Sequence, residues 1–222
     1  MNIILTGLFK SFTDNGGSKS VISGLNLSLE ASEVFSLFGR NGSGKTTLLK
    51  LISGLVEKDS GGISVCGFDT AKEPAKARRS IGVSCDSEKS FYQMLSVYEN
   101  LRFYAGLFEM NSEEFKKRFS EISSEFGLSD YANIPVFHCS SGVRQRVSLA
   151  RAFLPSPKVL LLDEPTKSLD DKYREALLGA IKREAGQRQA SVLVATHDRE
   201  IAAYFGARHG VLENGKISEG RL

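Results

Sequence analysis

The chain has 222 residues, enough for one domain with a substantial hydrophobic core. Its 29 basic and 26 acidic side chains give a net charge of +3, a balance that does not by itself indicate nucleic acid or a polybasic membrane anchor. No apolar run approaches a membrane span, and the first residues lack the features of a signal peptide. Three widely spaced cysteines suggest neither a disulfide framework nor a C-x-x-C metal site, so we expect a reduced, cytosolic compartment.

The first predicted elements are two strands separated by a turn. Ile3-Ile4-Leu5 is a short apolar run, and residues 25–30 alternate between apolar and polar side chains with a period of two, which is typical of a half-buried strand. Residues 14–18 contain the Asn-Gly-Gly sequence of a turn. We therefore expect the arms of a small antiparallel sheet at this end of the chain.

A phosphate-binding loop is predicted next. The apolar run 34–38 is followed at residues 39–46 by Gly-Arg-Asn-Gly-Ser-Gly-Lys-Thr, which fits G-x-x-x-x-G-K-[ST] between a strand and a helix. Glycines allow backbone N–H groups to approach phosphate oxygens, and the helix start adds further N–H groups. Lys45 would reach the β- and γ-phosphates, and the Thr46 hydroxyl is placed to bind Mg²⁺. The alternative is an ordinary glycine-rich turn.

The middle of the chain has helical spacing. From about residue 87 to residue 146 there are no β-branched runs, and Asn111 with Glu114 resembles a capping box at a helix start. Apolar side chains then recur at helical intervals, which favours the core of an inserted helical subdomain over a ligand pocket. Earlier, residues 71–79 carry four basic side chains, interpreted as a solvated helix face or, alternatively, a phosphate or lipid contact.

Two later strands end in polar residues. The continuous apolar run 159–162 is typical of a parallel strand buried on both faces, and it ends at Asp163 and Glu164. A second such run, 191–196, ends at His197. Open α/β sheets bind ligands at the carboxyl ends of their strands, so these groups mark a candidate site. Solvated surface charges are the alternative for the two acids.

The decisive segment begins at Cys139 and reads Cys-Ser-Ser-Gly-Val-Arg-Gln-Arg. Ser140 is a good N-cap, and Gly142 leaves N–H groups at a helix start open to an anion. Together with the phosphate loop and the acidic strand end, this segment resembles the signature of ABC transporter nucleotide-binding subunits, usually written L-S-G-G-Q. Cys139, Ser141 and Val143 depart from that pattern.

The resemblance implies roles for particular residues. Asp163 would bind Mg²⁺ with Thr46, Glu164 would act as general base on the attacking water, and Lys45 and His197 would contact the γ-phosphate. Phe12 would stack on adenine, although Phe9 or a core role is an alternative. Residues 168–170 match the loop that crosses the dimer interface. The implied nucleotide contacts are Phe12, Gly39, Arg40, Asn41, Gly42, Ser43, Gly44, Lys45, Thr46, Thr47, Ser140 and Gly142.

One departure from the family is large. Where the family usually has a glutamine at the end of a strand, this chain has Asp86. We expect this carboxylate to bind Mg²⁺, because a hard cation accepts carboxylate oxygen readily. The substitution puts the coupling step between the nucleotide site and the helical subdomain in doubt.

The expected fold is α/β: a P-loop NTPase core with a mainly parallel sheet, an antiparallel side sheet and an inserted helical subdomain. We expect one domain over 1–222, with 1–86 and 147–222 forming the core and 87–146 the helical subdomain. The implied function is that of an ATP-binding and hydrolysing subunit that uses ATP and Mg²⁺, pairs head to tail with itself or a related subunit, and drives a separate transmembrane permease from the cytoplasmic face of the membrane. Nucleic acid is not expected. The alternatives are a non-transport ABC ATPase of translation or DNA maintenance, and an ATP-sensing module with little turnover.

Overall fold

The computed structural model describes residues 1–14, 17–85, 90–206 and 208–220. The strands in these ranges are β1 (Ile3–Asp14), β2 (Gly17–Leu29), β3 (Val34–Phe38), β4 (Ser60–Val65), β5 (Phe68–Asp69), β6 (Ile81–Ser84), β7 (Val159–Asp163), β8 (Ser191–Ala195), β9 (Arg208–Glu213) and β10 (Lys216–Gly220). The α-helices are α1 (Lys45–Ile52), α2 (Pro74–Arg79), α3 (Val97–Leu107), α4 (Ser112–Glu125), α5 (Ser141–Phe153), α6 (Asp171–Arg188) and α7 (Arg199–Phe205).

A six-stranded sheet forms the centre of the fold, in the order β10-β9-β3-β8-β7-β6. Its inner pairs are parallel, and only the pair of β9 with β10 at one edge is antiparallel. The apolar runs that sequence analysis assigned to buried strands are β3, β7 and β8, which lie next to one another. The predicted mainly parallel sheet is confirmed.

Alternate residues of the central strands enter two different hydrophobic clusters. On β7, Leu160 and Leu162 pack with helices α3 to α7, whereas Leu161 packs with α1 and the side sheet. Both groups are fully buried. Because successive side chains of a strand point to opposite faces, the sheet is a middle layer covered on both sides.

A four-stranded antiparallel sheet, in the order β2-β1-β4-β5, lies beside this core. Strands β1 and β2 pair from Ile3 with Leu29 to Asp14 with Gly17. The predicted antiparallel side sheet is therefore confirmed, with longer strands than the short runs of the sequence indicated. Within the hairpin Phe12 pairs with Lys19, near the turn end.

Helices α3, α4 and α5 are inserted between β6 and β7. The capping box predicted at Asn111 and Glu114 is present at the start of α4. Of the four apolar side chains at helical spacing, Phe115, Ile122 and Phe126 are buried and Phe119 is partly buried. Helix α5 continues without interruption from residue 141 to residue 153. A boundary after residue 146 therefore falls inside a helix, and the division into core and helical subdomain stays a prediction. Within the described ranges, no helix has the length and apolar character that crossing a membrane requires.

Candidate functional site

The phosphate loop connects β3 to α1, and two of its glycines have backbone conformations that favour glycine. Gly42 has φ +78° and Gly44, the residue before α1, has φ +106°. A Cβ on Gly44 would lie 2.7 Å from Cγ1 of Val21. Both glycines are thus required locally, and the loop presents its backbone to the space in front of α1.

Lys45 is the first residue of α1 and is only 7% exposed. Its Nζ donates hydrogen bonds to the carbonyl oxygens of Gly39, at 2.7 Å, and Arg40, at 3.4 Å. The same atom lies 3.9 Å from Oε1 of Glu164. The lysine charge is therefore held between the loop and the acidic end of β7.

Thr46 connects the phosphate loop to Asp163. The Thr46 hydroxyl donates a hydrogen bond to Oδ2 of Asp163 at 2.6 Å. Burial raises the pKa of Asp163, and the neighbouring Glu164 adds to the increase, whereas the hydrogen bond with Thr46 opposes it. A hydroxyl and a carboxylate in contact, with the carboxylate poorly solvated, form a pair of hard oxygen donors suited to a divalent cation.

Glu164 lies one residue beyond β7 in an unusual conformation. Its φ is +43°, although its N–H still donates to the carbonyl oxygen of Ala195 at 2.8 Å. Its Oε2 lies 2.9 Å from Nδ1 of His197 and accepts a hydrogen bond from Thr196 Oγ1 at 3.4 Å. A non-glycine residue in this region is strained, and such strain is concentrated at functional sites.

These groups face a cleft of about 660 Å³. Phe12, 44% exposed, lines it, whereas the ring of Phe9 lies over Gly24. Predicted site residues lining the cleft are Phe12, Asn41, Gly42, Gly44, Lys45, Thr46, Thr47, Asp163 and Glu164. Predicted site residues outside this lining are Gly39, Arg40, Ser43, Ser140, Gly142 and His197. His197 nevertheless contacts Glu164, and Asp86 lies outside the described residues.

The signature segment starts helix α5. Ser140 is the N-cap, as predicted, and its hydroxyl accepts a hydrogen bond from the Val143 N–H at 3.3 Å. A Cβ on Gly142 would lie 2.8 Å from the carbonyl oxygen of Ser168. The glycine thus allows α5 to approach the segment 168–170 closely.

Several cleft residues were not predicted from the sequence. Val21 lines the cleft beside Gly44, and only the pairing of β1 with β2 brings it near Phe12. Gln145 lines it from α5, where its Nε2 donates to the carbonyl oxygen of Pro165 at 3.2 Å. Lys167 adds a cation to the rim. Val21 and Lys167 belong to no sequence motif, and Gln145 lies within the signature segment but is not among the residues to which the resemblance assigned a nucleotide contact.

Comparison with known proteins identifies the family of this chain. The family profile described as "ABC transporter" matches residues 22–167, more than half of the chain. The ATP-binding protein NatA of Bacillus subtilis is 37% identical over 202 residues, which cover 89% of this chain and 80% of NatA. The linearmycin resistance ATP-binding protein LnrL, also of Bacillus subtilis, is 33% identical, and the match covers 90% of this chain but 64% of LnrL.

Solved structures give the same result. An ATP-binding subunit of an ABC transporter superposes with a TM-score of 0.91 at 28% identity, covering 100% of this chain and 90% of that one. A dimeric ATP-binding cassette in a post-hydrolysis state, bound to ADP and phosphate, also gives 0.91 at 28% identity, covering 99% of this chain and 98% of that one.

The fold is that of an ATP-binding cassette. The chain belongs to the ABC transporter ATP-binding family, and the resemblance drawn from its motifs is confirmed. The protein is therefore an ABC ATPase domain. The roles assigned to individual residues remain predictions.

Proposed function

We propose that this chain binds Mg·ATP in the cleft, hydrolyses the γ-phosphate bond, and passes the resulting conformational change to a separate membrane permease. The observation that carries the proposal is the convergence of Lys45, Asp163 and Glu164 at the phosphate loop. Lys45 and Glu164 lie 3.9 Å apart, and Thr46 contacts Asp163 at 2.6 Å. A cation, a metal-binding pair and a carboxylate thus face the same position in front of the loop.

Glu164 is the proposed general base. Its carboxylate is 23% exposed, so solvent reaches it, and His197 and Thr196 orient Oε2. A carboxylate held in this way would orient and polarise the attacking water, and His197 would contact the γ-phosphate. Because phosphoryl transfer depends mainly on alignment and charge stabilisation, the geometry of these groups supplies most of what the reaction needs.

Thr46 and Asp163 would hold Mg²⁺. When bound with ATP, the cation would neutralise charge on the β- and γ-phosphates. The described residues contain no group of three acidic, histidine or cysteine side chains suited to a metal. Two protein ligands are nevertheless sufficient, because Mg²⁺ usually takes its remaining ligands from phosphates and water.

Head-to-tail pairing would complete the site. Ser140 is exposed and caps α5, so the N–H groups at the start of this helix are available to an anion on another subunit. Two of the similar solved cassettes are dimeric structures, and the match with this chain covers 98% of each of those chains. Ser140 and Gly142 would then contact the γ-phosphate of ATP held by the partner, and residues 168–170 would lie between the two subunits.

An apolar patch on the helical insertion would contact the permease. Met94 is 82% exposed, Leu107 60% and Phe137 65%, and the Tyr92 ring stacks edge-on against Phe103 at 4.9 Å. We define the apolar patch as Tyr92, Met94, Leu95, Phe103, Leu107 and Phe137. Adjacent exposed apolar side chains of this size mark an interaction surface. Leu95 of the patch is the first residue of the segment 95–101, which resembles the part of the family that faces the permease.

The test is ATP turnover with a matched pair of carboxylate variants. We expect Glu164→Gln to lower kcat by a factor of at least about 10² while equilibrium binding of a fluorescent ATP analogue is retained. Glu175→Gln, at an exposed position of α6, should keep the wild-type rate. Comparable rates in Glu164→Gln and the wild type would contradict the assignment of the base.

A further inference from the structure

Arg174 lies in the first turn of α6, and its side chain reaches the loop that contains His197. Its Nη2 donates hydrogen bonds to Oδ2 of Asp198 at 2.8 Å and to Oε2 of Glu200 at 2.6 Å. The Arg174 backbone is also fixed, because its N–H donates to the carbonyl oxygen of Asp170, the N-cap of α6, at 2.9 Å. A rigid helix start therefore places the guanidinium next to this loop.

Asp198 has a separate contact for its N–H and for each of its two carboxylate oxygens. Its N–H donates to Thr196 Oγ1 at 3.0 Å, Oδ1 accepts from the Glu200 N–H at 2.9 Å as the N-cap of α7, and Oδ2 is held by Arg174. The contact of the Asp198 N–H with Thr196 connects Asp198 to the site, because the Thr196 hydroxyl also donates to Glu164. Arg174, Asp198, Thr196 and Glu164 thus form one hydrogen-bonded chain.

His197 itself has little packing to hold it. Its side chain is 76% exposed, and its ion-pair contact is the one between Nδ1 and Oε2 of Glu164 at 2.9 Å. An exposed side chain takes its position from the backbone on either side of it. Thr196 is fully buried on one side, and Asp198 is held by Arg174 on the other.

We propose that Arg174 is a positioning residue for ATP hydrolysis: by holding Asp198, it fixes the backbone after His197 and keeps the imidazole beside Glu164. The inference rests on the proposed roles of Glu164 and His197. Arg174 does not line the cleft and so acts through Asp198. It also follows residues 168–170 by one helical turn, so it would connect the proposed dimer interface to the His197 loop.

The two partners of Arg174 can be separated by experiment because their exposure differs. The Asp198 side chain is 23% exposed, whereas that of Glu200 is 78% exposed. An ion pair that is largely in solvent contributes little, so the contact with Asp198 is the structurally important one. The guanidinium suits this task, because it stays charged and its Nη2 donates a charge-assisted hydrogen bond to Oδ2 of Asp198.

The first test measures kcat, KM and ATP-analogue affinity for three variants. Arg174→Gln should lower kcat by about tenfold and leave ATP affinity within about twofold, because the phosphate loop is untouched. Arg174→Lys should recover part of the rate, and Glu200→Gln, the matched control, should keep it. A fall in affinity equal to the fall in kcat, or an unchanged kcat for Arg174→Gln, would overturn the proposal.

The second test uses Asp198→Asn, which keeps a side-chain oxygen for the cap of α7 but loses the charge that pairs with Arg174. Its kcat should fall as for Arg174→Gln, and the double variant should show no further loss, because both changes break the same contact. If the falls in kcat of the two single variants multiply in the double variant, the proposal is contradicted. If Arg174→Gln does not fold, Asp198→Asn alone decides the outcome by the same split of kcat from affinity.

The Glu164→Gln variant separates failure of this inference from failure of the proposed function. If Glu164→Gln is inactive while Arg174→Gln and Asp198→Asn turn over normally, the positioning role is wrong and the proposed function stands. If Glu164→Gln is as active as the wild type, the proposed function itself is wrong.

Discussion

Asp163 and Glu164 are neighbours at the end of β7, but they have different environments. Asp163 lies against Thr46 and has a pKa raised by burial, whereas Glu164, in a left-handed conformation, lies between Lys45 and His197. The backbone changes between them, because Asp163 is the last residue of β7 and Glu164 has a positive φ. Two consecutive acids are thus suited to two tasks, metal binding and activation of water.

Asp163→Asn should raise the Tm of the protein without nucleotide by a few degrees at pH 7, while abolishing Mg²⁺-dependent turnover. Burial raises the pKa of Asp163 in the folded state, so the ionised carboxylate lowers stability at pH values above its unfolded pKa. This destabilisation decreases as the pH falls through the folded-state pKa of Asp163. Asparagine keeps an oxygen for the Thr46 hydroxyl and carries no charge.

Differential scanning calorimetry of the wild type and Asp163→Asn at pH 7 and near pH 4 is the appropriate measurement. The difference in Tm should shrink at the lower pH. Asp130→Asn, at an exposed position, is the control and should leave Tm nearly unchanged at pH 7. A lower Tm for Asp163→Asn at pH 7 would mean that the charged hydrogen bond with Thr46 outweighs the effect of burial.

Glu184 lies at the centre of a network of charged contacts among three helices. It lies on α6 and is fully buried, and it pairs with Arg118 of α4 at 3.4 Å and with Arg188 at 2.9 Å. Arg118 also donates to the carbonyl oxygen of Phe153 at the end of α5, at 2.8 Å. Charged contacts, as well as apolar packing, therefore hold α4 and α5 against α6.

Glu184→Gln should lower the free energy of unfolding by about 3 kcal/mol, because it leaves two guanidinium groups without their buried counter-charge. Glu121 pairs with the same Arg118 but is 47% exposed. Glu121→Gln should therefore cost less than about 1 kcal/mol. Urea unfolding of both variants measures the difference, and equal losses would show that burial does not set the strength of this network.

The sequence predicted those elements whose signal is local. Strands β3, β7 and β8 are unbroken apolar runs, the phosphate loop is a contiguous motif, and the capping box at Asn111 needs only four residues. The pair of Arg174 with Asp198 spans 24 residues, and that of Arg118 with Glu184 spans 66. In the sequence these four are ordinary charged residues, and only the packing of α6 against α4 and the start of α7 makes them partners.

The proposed function assigns a separate role to each of three surfaces of the molecule. The cleft would hold ATP, the start of α5 would face a second subunit, and the apolar patch would face the permease. The close approach of Gly142 to Ser168 brings the signature next to residues 168–170, so both proposed interface segments lie together. The central claim is that two such chains enclose ATP between them.

The mass of the Glu164→Gln variant in solution tests this claim most directly. This change should retain ATP binding but stop hydrolysis, so the closed pair should accumulate. Size-exclusion chromatography with light scattering, at tens of micromolar protein, should give the mass of two chains with Mg·ATP and of one chain without nucleotide. Adding Ser140→Ala should weaken pairing. A single-chain mass with saturating Mg·ATP bound would contradict the account.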